Sequence, residues 1–232
     1  MLTNPEAVKI SGGEPVIVDT SFEDDFKIST SQLDSLKTNK TKILVWVSPS
    51  NPTGVVYSKK EAEDIYQWAF ENDIWILSDE LYEHLVYEGT TSPSPAQYDT
   101  DLKNTIVING VAKAYSMTGW RVGWIIANTD VINMAKKIQS HATSNVSNLS
   151  QIAAYSALKN GLGETEIMKK SFSRRRMFAI EEFSNIEKVN LIKPLGAFYL
   201  FPDISYYCND KVIPGVNNSI DFCNWLLDEH YI

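Results

Sequence analysis

The chain has 232 residues, 44% hydrophobic and 22% charged, enough for one large folded unit with a sizeable core. Its net charge of −8 and pI near 4.9 argue against nucleic acid or an anionic membrane surface as a partner. No apolar run is long enough to span a bilayer, and Cys208, Cys223 and three scattered histidines make neither a disulfide framework nor a metal cluster.

Met1–Lys9 lacks the basic-then-apolar pattern of a signal peptide, so the expected location is the cytoplasm. Gly12-Gly13 reads as a turn, Pro15–Val18 as a short strand and Ser31–Lys37 as a weak helix. Ile43–Val47 is continuously apolar and rich in β-branched residues, as a buried parallel strand should be. It runs into Ser48-Pro-Ser-Asn-Pro-Thr-Gly54. Ser58 and Glu61 form a capping box that opens a helix over Lys59–Glu71. Ile74–Ser78 is a second buried strand, ending in Asp79-Glu80-Leu81-Tyr82. Thr105–Ile108 is a third, closed by the turn chemistry of Asn109-Gly110 and followed by Lys113. Ile125–Ala127 predicts a fourth strand. Helices are expected from near Asp130, over Leu149–Lys159 and over Gly163–Phe183, where Arg174-Arg175-Arg176 reads as a solvated face. Pro194–Pro202 is strand-like, and Ser219–His230 reads as an amphipathic helix.

Strands alternating with helices predict an α/β fold: a mostly parallel sheet covered by helices. In such sheets ligands bind beyond the carboxyl ends of the strands. Asn51, Asp79 and Lys113 each follow a different strand, so all three fall at that edge. Desolvation favours the neutral amine of a lysine, and a neutral amine attacks carbonyl carbon. Arg121, eight residues after Lys113, carries a permanent fork suited to phosphate. An amine for an aldehyde and a guanidinium for a phosphate point to pyridoxal 5'-phosphate. Asp79 would face the pyridine nitrogen, and Asn51 and Tyr82 would face the ring oxygen. Taken singly, Asn51 is an Asn-Pro turn, Asp79 a helix cap, Tyr82 a core aromatic and Lys113 a surface charge. Their joint order favours the site.

With these motifs the chain resembles the fold-type I aminotransferases of class I/II, close to the bacterial-type aspartate aminotransferase branch. The resemblance rests on Ser48–Gly54, Ser78-Asp-Glu-Leu-Tyr-Glu-His84, the stretch Lys113–Gly123, and Gly196-Ala-Phe-Tyr-Leu-Phe201. It implies that Lys113 is the Schiff-base lysine and proton shuttle, that Asp79 pairs with the pyridinium, and that Asn51 and Tyr82 bond the phenolic oxygen. It implies that Arg121 holds the phosphate and that the Asn51–Pro52 bond is cis. Residues 1–162 would form a large cofactor-binding domain, 163–185 a linking helix and 186–232 part of a small C-terminal domain.

The implied activity moves an amino group between an L-amino acid, aspartate or glutamate foremost, and a 2-oxo acid, in a homodimer. Gly110 stands where the family often has a serine reaching the phosphate. No residue matches the family's arginine for the substrate α-carboxylate, and the resemblance implies a chain shortened at both ends. Two alternatives stay open: another pyridoxal-phosphate reaction such as C–S β-elimination, and a non-catalytic core that serves as a binding or oligomerisation module.

Overall fold

A computed structural model describes residues 3–232. Helix α1 (Thr3–Ile10) leads to a turn at Gly12, whose φ is 81°. The expected strand at Pro15–Val18 is extended chain with no strand partner among the described residues. Val16 and Ile17 are 59% and 58% exposed, so apolar character without a neighbouring backbone did not make a strand. Helix α2 (Thr30–Leu36) starts at a reciprocal Ser29–Gln32 capping box.

Strands β1 (Ile43–Val47), β2 (Trp75–Asp79), β3 (Thr105–Gly110) and β4 (Gly123–Ile126) form one sheet in the order β1-β2-β3-β4. The first three are parallel, with Val47 opposite Asp79 and Asp79 opposite Ile108. Strand β4 runs antiparallel to β3, with Gly110 opposite Gly123. The chain between them, residues 111–122, carries Lys113 and a 3-10 turn at Thr118–Trp120 before it returns alongside β3. Ile125 and Ile126 of β4 are exposed.

Helix α3 (Lys59–Glu71) starts at the expected box: Glu61 N–H donates to Ser58 Oγ at 3.2 Å, and Ser58 N–H donates to Glu61 Oε2 at 2.5 Å. Its Ala62, Ile65, Trp68 and Ala69 recur at helical spacing and are buried. They pack with Leu33, Trp46, Tyr57, Ile74 and Ile76 into the main core, which fixes β1 against β2.

Helices α4 (Thr129–Ala142), α5 (Asn148–Asn160) and α6 (Leu162–Ser184) lie where the sequence places them. Strands β5 (Asn190–Leu191) and β6 (Pro202–Asp203) form a small antiparallel ribbon, and α7 spans Ser219–His230. Between β5 and β6 the expected strand at Pro194–Pro202 is replaced by a strap across the strand-end loops. Its backbone donors are taken elsewhere: Leu195 and Gly196 N–H donate to Gly54 O, and Ala197 N–H donates to Leu85 O. Ala197 turns left-handed at φ 56°, which breaks the extended run.

The strap and the loop after β1 interlock. Gly54 sits at φ 70°, and a Cβ there would lie 2.4 Å from Pro194 Cβ. Helix α6 pins the strap from behind. Arg176 Nε donates to Pro194 O at 2.5 Å, Nη1 to Glu88 Oε1 at 3.1 Å, and the guanidinium lies 5.1 Å from the Tyr87 ring centre. This corrects the solvated-face expectation for one of the three arginines. Arg176 is 6% exposed, while Arg174 and Arg175 face solvent, because successive helical residues point 100° apart. Thr165 of α6 also donates its hydroxyl to Ala114 O at 2.8 Å, holding the loop after β3.

Candidate active site

The register of β1, β2 and β3 brings their carboxyl ends side by side, so the three loops that leave them emerge together. Asn51 lies in the turn after β1, where both Ser48–Pro49 and Asn51–Pro52 are cis, the second as expected. Asp79 is the last residue of β2, and Tyr82 follows in the next turn, 2% exposed. Lys113 lies in the turn after β3. Its Nζ stands 5.6 Å from the Tyr82 ring centre and 5.7 Å from that of Phe198. A cation near aromatic rings gains cation–π attraction.

Asp79 is partly buried, and its Oδ1 accepts the Leu81 N–H at 3.3 Å, a long bond. Burial pushes its pKa up, while the Leu81 N–H and the positive charge of Lys113 hold it back. The neighbouring Glu80 is also raised by burial but is satisfied by Ser94 Oγ at 2.5 Å and Ser78 Oγ at 2.7 Å. The two adjacent carboxylates therefore differ: Glu80 is held in a structural network, and Asp79 keeps acceptor capacity for another donor.

Tyr82 and Tyr199 share a hydroxyl–hydroxyl bond of 2.6 Å, and Asn51 Nδ2 donates to the Tyr199 hydroxyl at 3.2 Å. Burial, then the Tyr199 hydroxyl, drives the Tyr82 phenol well above its ordinary pKa, so it is a neutral O–H donor at any physiological pH. Asn51, Asp79, Tyr82 and Lys113 thus come together as the sequence proposed. Arg121 is exposed, left-handed at φ 56°, and donates Nη1 to Thr118 O at 3.0 Å. Among the described residues no hydrogen bond or ion pair joins it to the other four. Tyr199 and Phe198 stand beside these four residues without having been candidates. Their signal in the sequence is the aromatic pair inside the strand-like Gly196–Phe201 motif.

Residues 4–232 match the family "Aminotransferase class I and II". The chain is 46% identical over 202 residues to an aspartate aminotransferase of Bacillus sp. (strain YM-2), covering 87% of this chain and 52% of that protein. It is 41% identical over 225 residues to an asparagine–oxo-acid transaminase of Streptococcus mutans, covering 97% of this chain and 56% of that protein. Among solved structures, an aromatic aminotransferase from Pyrococcus horikoshii OT3 superposes with a TM-score of 0.93 at 34% identity, covering 100% of this chain and 60% of that one. The chain therefore spans about half the length of the relatives that it matches. Four motif residues converging at the carboxyl ends of a mostly parallel sheet, together with this match along almost all of its length, establish that the chain belongs to the class I and II aminotransferase family.

Proposed function

We propose that this chain carries a pyridoxal 5'-phosphate site for transfer of an amino group between an L-amino acid and a 2-oxo acid. The observation that carries the reading is the convergence of Lys113, Asp79, Tyr82 and Asn51 beyond three adjacent strands. The donor set fits the cofactor. Asp79 has acceptor capacity for a protonated ring nitrogen, Tyr82 and Asn51 have N–H and O–H donors for a phenolic oxygen, and Lys113 offers an amine to an aldehyde. When bound, pyridoxal phosphate supplies an electron sink for a carbanion at the α-carbon.

In this reading Lys113 Nζ would anchor the cofactor at its aldehyde and, once displaced by the substrate amine, would be the free base that holds the proton taken from the substrate. Asp79 keeps the proton on the ring nitrogen, because an anion beside it favours the charged form. Tyr82 O–H and Asn51 N–H neutralise charge on the ring oxygen. Arg121 would present its fork to the phosphate by leaving the Thr118 carbonyl to which it donates in this structure. The Tyr82 and Phe198 rings, 5.4 Å apart between centres, stand together beside Lys113 and bound the space open to the amine on that side.

The relative named for aspartate supports aspartate as donor, and glutamate stands beside it on the family resemblance alone. The same reading makes residues 1–162 the cofactor-binding unit, 163–185 the link and 186–232 part of a smaller unit. It takes the active assembly as a homodimer, and two free thiols at Cys208 and Cys223 suit a reducing cytoplasm.

The test is capture of the cofactor. The purified chain is mixed with pyridoxal phosphate, its visible spectrum recorded, and the product reduced with borohydride and mapped by mass spectrometry. The expected adduct is at Lys113 and is absent in Lys113→Ala. No adduct, or one scattered over surface lysines, overturns the reading.

A further inference from the structure

The hydroxyl of Tyr199 lies between the two side chains that the proposed function turns toward the ring oxygen. It bonds Asn51 Nδ2 at 3.2 Å and Tyr82 Oη at 2.6 Å. A phenol has one O–H to give and lone pairs to accept. The Asn51 amide nitrogen can only donate, so the Tyr199 oxygen accepts there. Between the two phenols either hydroxyl can donate. When Tyr82 gives its proton to an acceptor outside the pair, only the Tyr199 proton is left to fill the bond between them. The three groups then form a one-way relay, Asn51 to Tyr199 to Tyr82. Hydrogen bonds in series polarise one another, and the effect is larger in a low-dielectric site. Tyr82 is fully buried, and Tyr199 is partly so.

The strap fixes the geometry of Tyr199. Its neighbour Ala197 is held by an N–H bond to Leu85 O and by a 2.5 Å bond from Tyr87 Oη to Ala197 O. A Cβ on Gly196 would meet Pro49 Cβ at 2.5 Å, so the strap cannot slide without clearing the loop after β1. The Tyr199 ring packs edge-on against Tyr82 at 5.7 Å between centres. Such placement leaves the hydroxyl little freedom except the bonds that it makes.

We propose that Tyr199 is a positioning residue, whose hydroxyl aims the Tyr82 O–H at the ring oxygen of the bound cofactor and strengthens that donation. The assignment rests on the proposed function above.

The experiment compares the unmodified chain with Tyr199→Phe, Tyr82→Phe and the double variant. Each is loaded with pyridoxal phosphate, and the pH midpoint of its visible band is titrated. Removing a donor from the ring oxygen disfavours the anion and raises the midpoint. Tyr199→Phe keeps the ring packing and should raise the midpoint by a two- to fourfold change in ionisation constant, about a tenth to a third of the strength of a charge-assisted bond. Tyr82→Phe should raise it further. Because Tyr199 acts through Tyr82, adding Tyr199→Phe to Tyr82→Phe should change the midpoint much less than it does alone.

An unmoved midpoint in Tyr199→Phe overturns the assignment. So does an equal shift in both backgrounds, which would mark general loosening of the site. Thermal unfolding of Tyr199→Phe checks that the strap stays docked. No Lys113 adduct in the unmodified chain would bring down the cofactor reading and this assignment with it, whereas an adduct with an unmoved midpoint brings down the assignment alone.

Discussion

Asp79 shows what a candidate site residue costs the folded chain. Burial raises its pKa above the unfolded value of 3.8. The folded state therefore binds that proton more tightly than the unfolded state does. The stabilising contribution is complete below about pH 3.8 and is lost as pH rises through the raised value. At pH 7 the carboxylate is a net cost, so Asp79→Asn should raise the thermal midpoint of the ligand-free chain by about 1–3 °C. Calorimetry should find that gain gone near pH 3. The same change should weaken pyridoxal phosphate about 10- to 100-fold, because a charge-assisted bond to the ring nitrogen is lost. That Asn51, Asp79, Tyr82 and Lys113 gather at one sheet edge was legible in the sequence, because each lies at or within a few residues of the end of a strand that announces itself by an apolar run. Tyr199 was not, because its bond to Asn51 joins residues 148 apart and no local pattern encodes such a pairing.

Elements with a local signature matched expectation, including the capping box at Ser58 and every long helix. Elements that depend on a distant partner did not. Pro15–Val18 lacks a neighbouring strand, and Pro194–Pro202 gives its backbone donors to Gly54 and Leu85. The strap is most exposed to loss at Arg176. Arg176→Ala would leave Pro194 O without its donor and remove the packing against Tyr87. We expect a loss of about 2–3 kcal/mol in urea unfolding, against less than about 0.5 kcal/mol for Arg174→Ala on the solvent side of the same helix. Glu88 is partly exposed and adds little to that figure through its charge alone. A run of three identical residues hides which one turns inward, since only the phase of the helix decides.

Across the whole molecule, apolar side chains remain uncovered on α4 and α5, among them Met134, Ile138, Leu149 and Ile152. Surface of this kind seeks a partner. Sedimentation at micromolar concentration should show a dimer, and a strict monomer would count against the homodimer in the proposed function. The fold class was legible because strand–helix alternation is written into the sequence at short range. The uncovered faces were not, because exposure is a property of what packs nearby rather than of composition.

The lacing of the strap to the loop after β1 also sets a schedule for synthesis. Asn51 leaves the ribosome 148 residues before Tyr199, and Tyr82 leaves 117 residues before it. At ordinary translation speeds of 5–20 residues per second, Asn51 waits roughly 7–30 s for its partner to be made. Strands β1 and β2 can pack with α3 in that interval, since the buried residues of their shared core lie within 33–76. The pocket edge cannot, so a nascent chain should acquire its fold well before it acquires its relay.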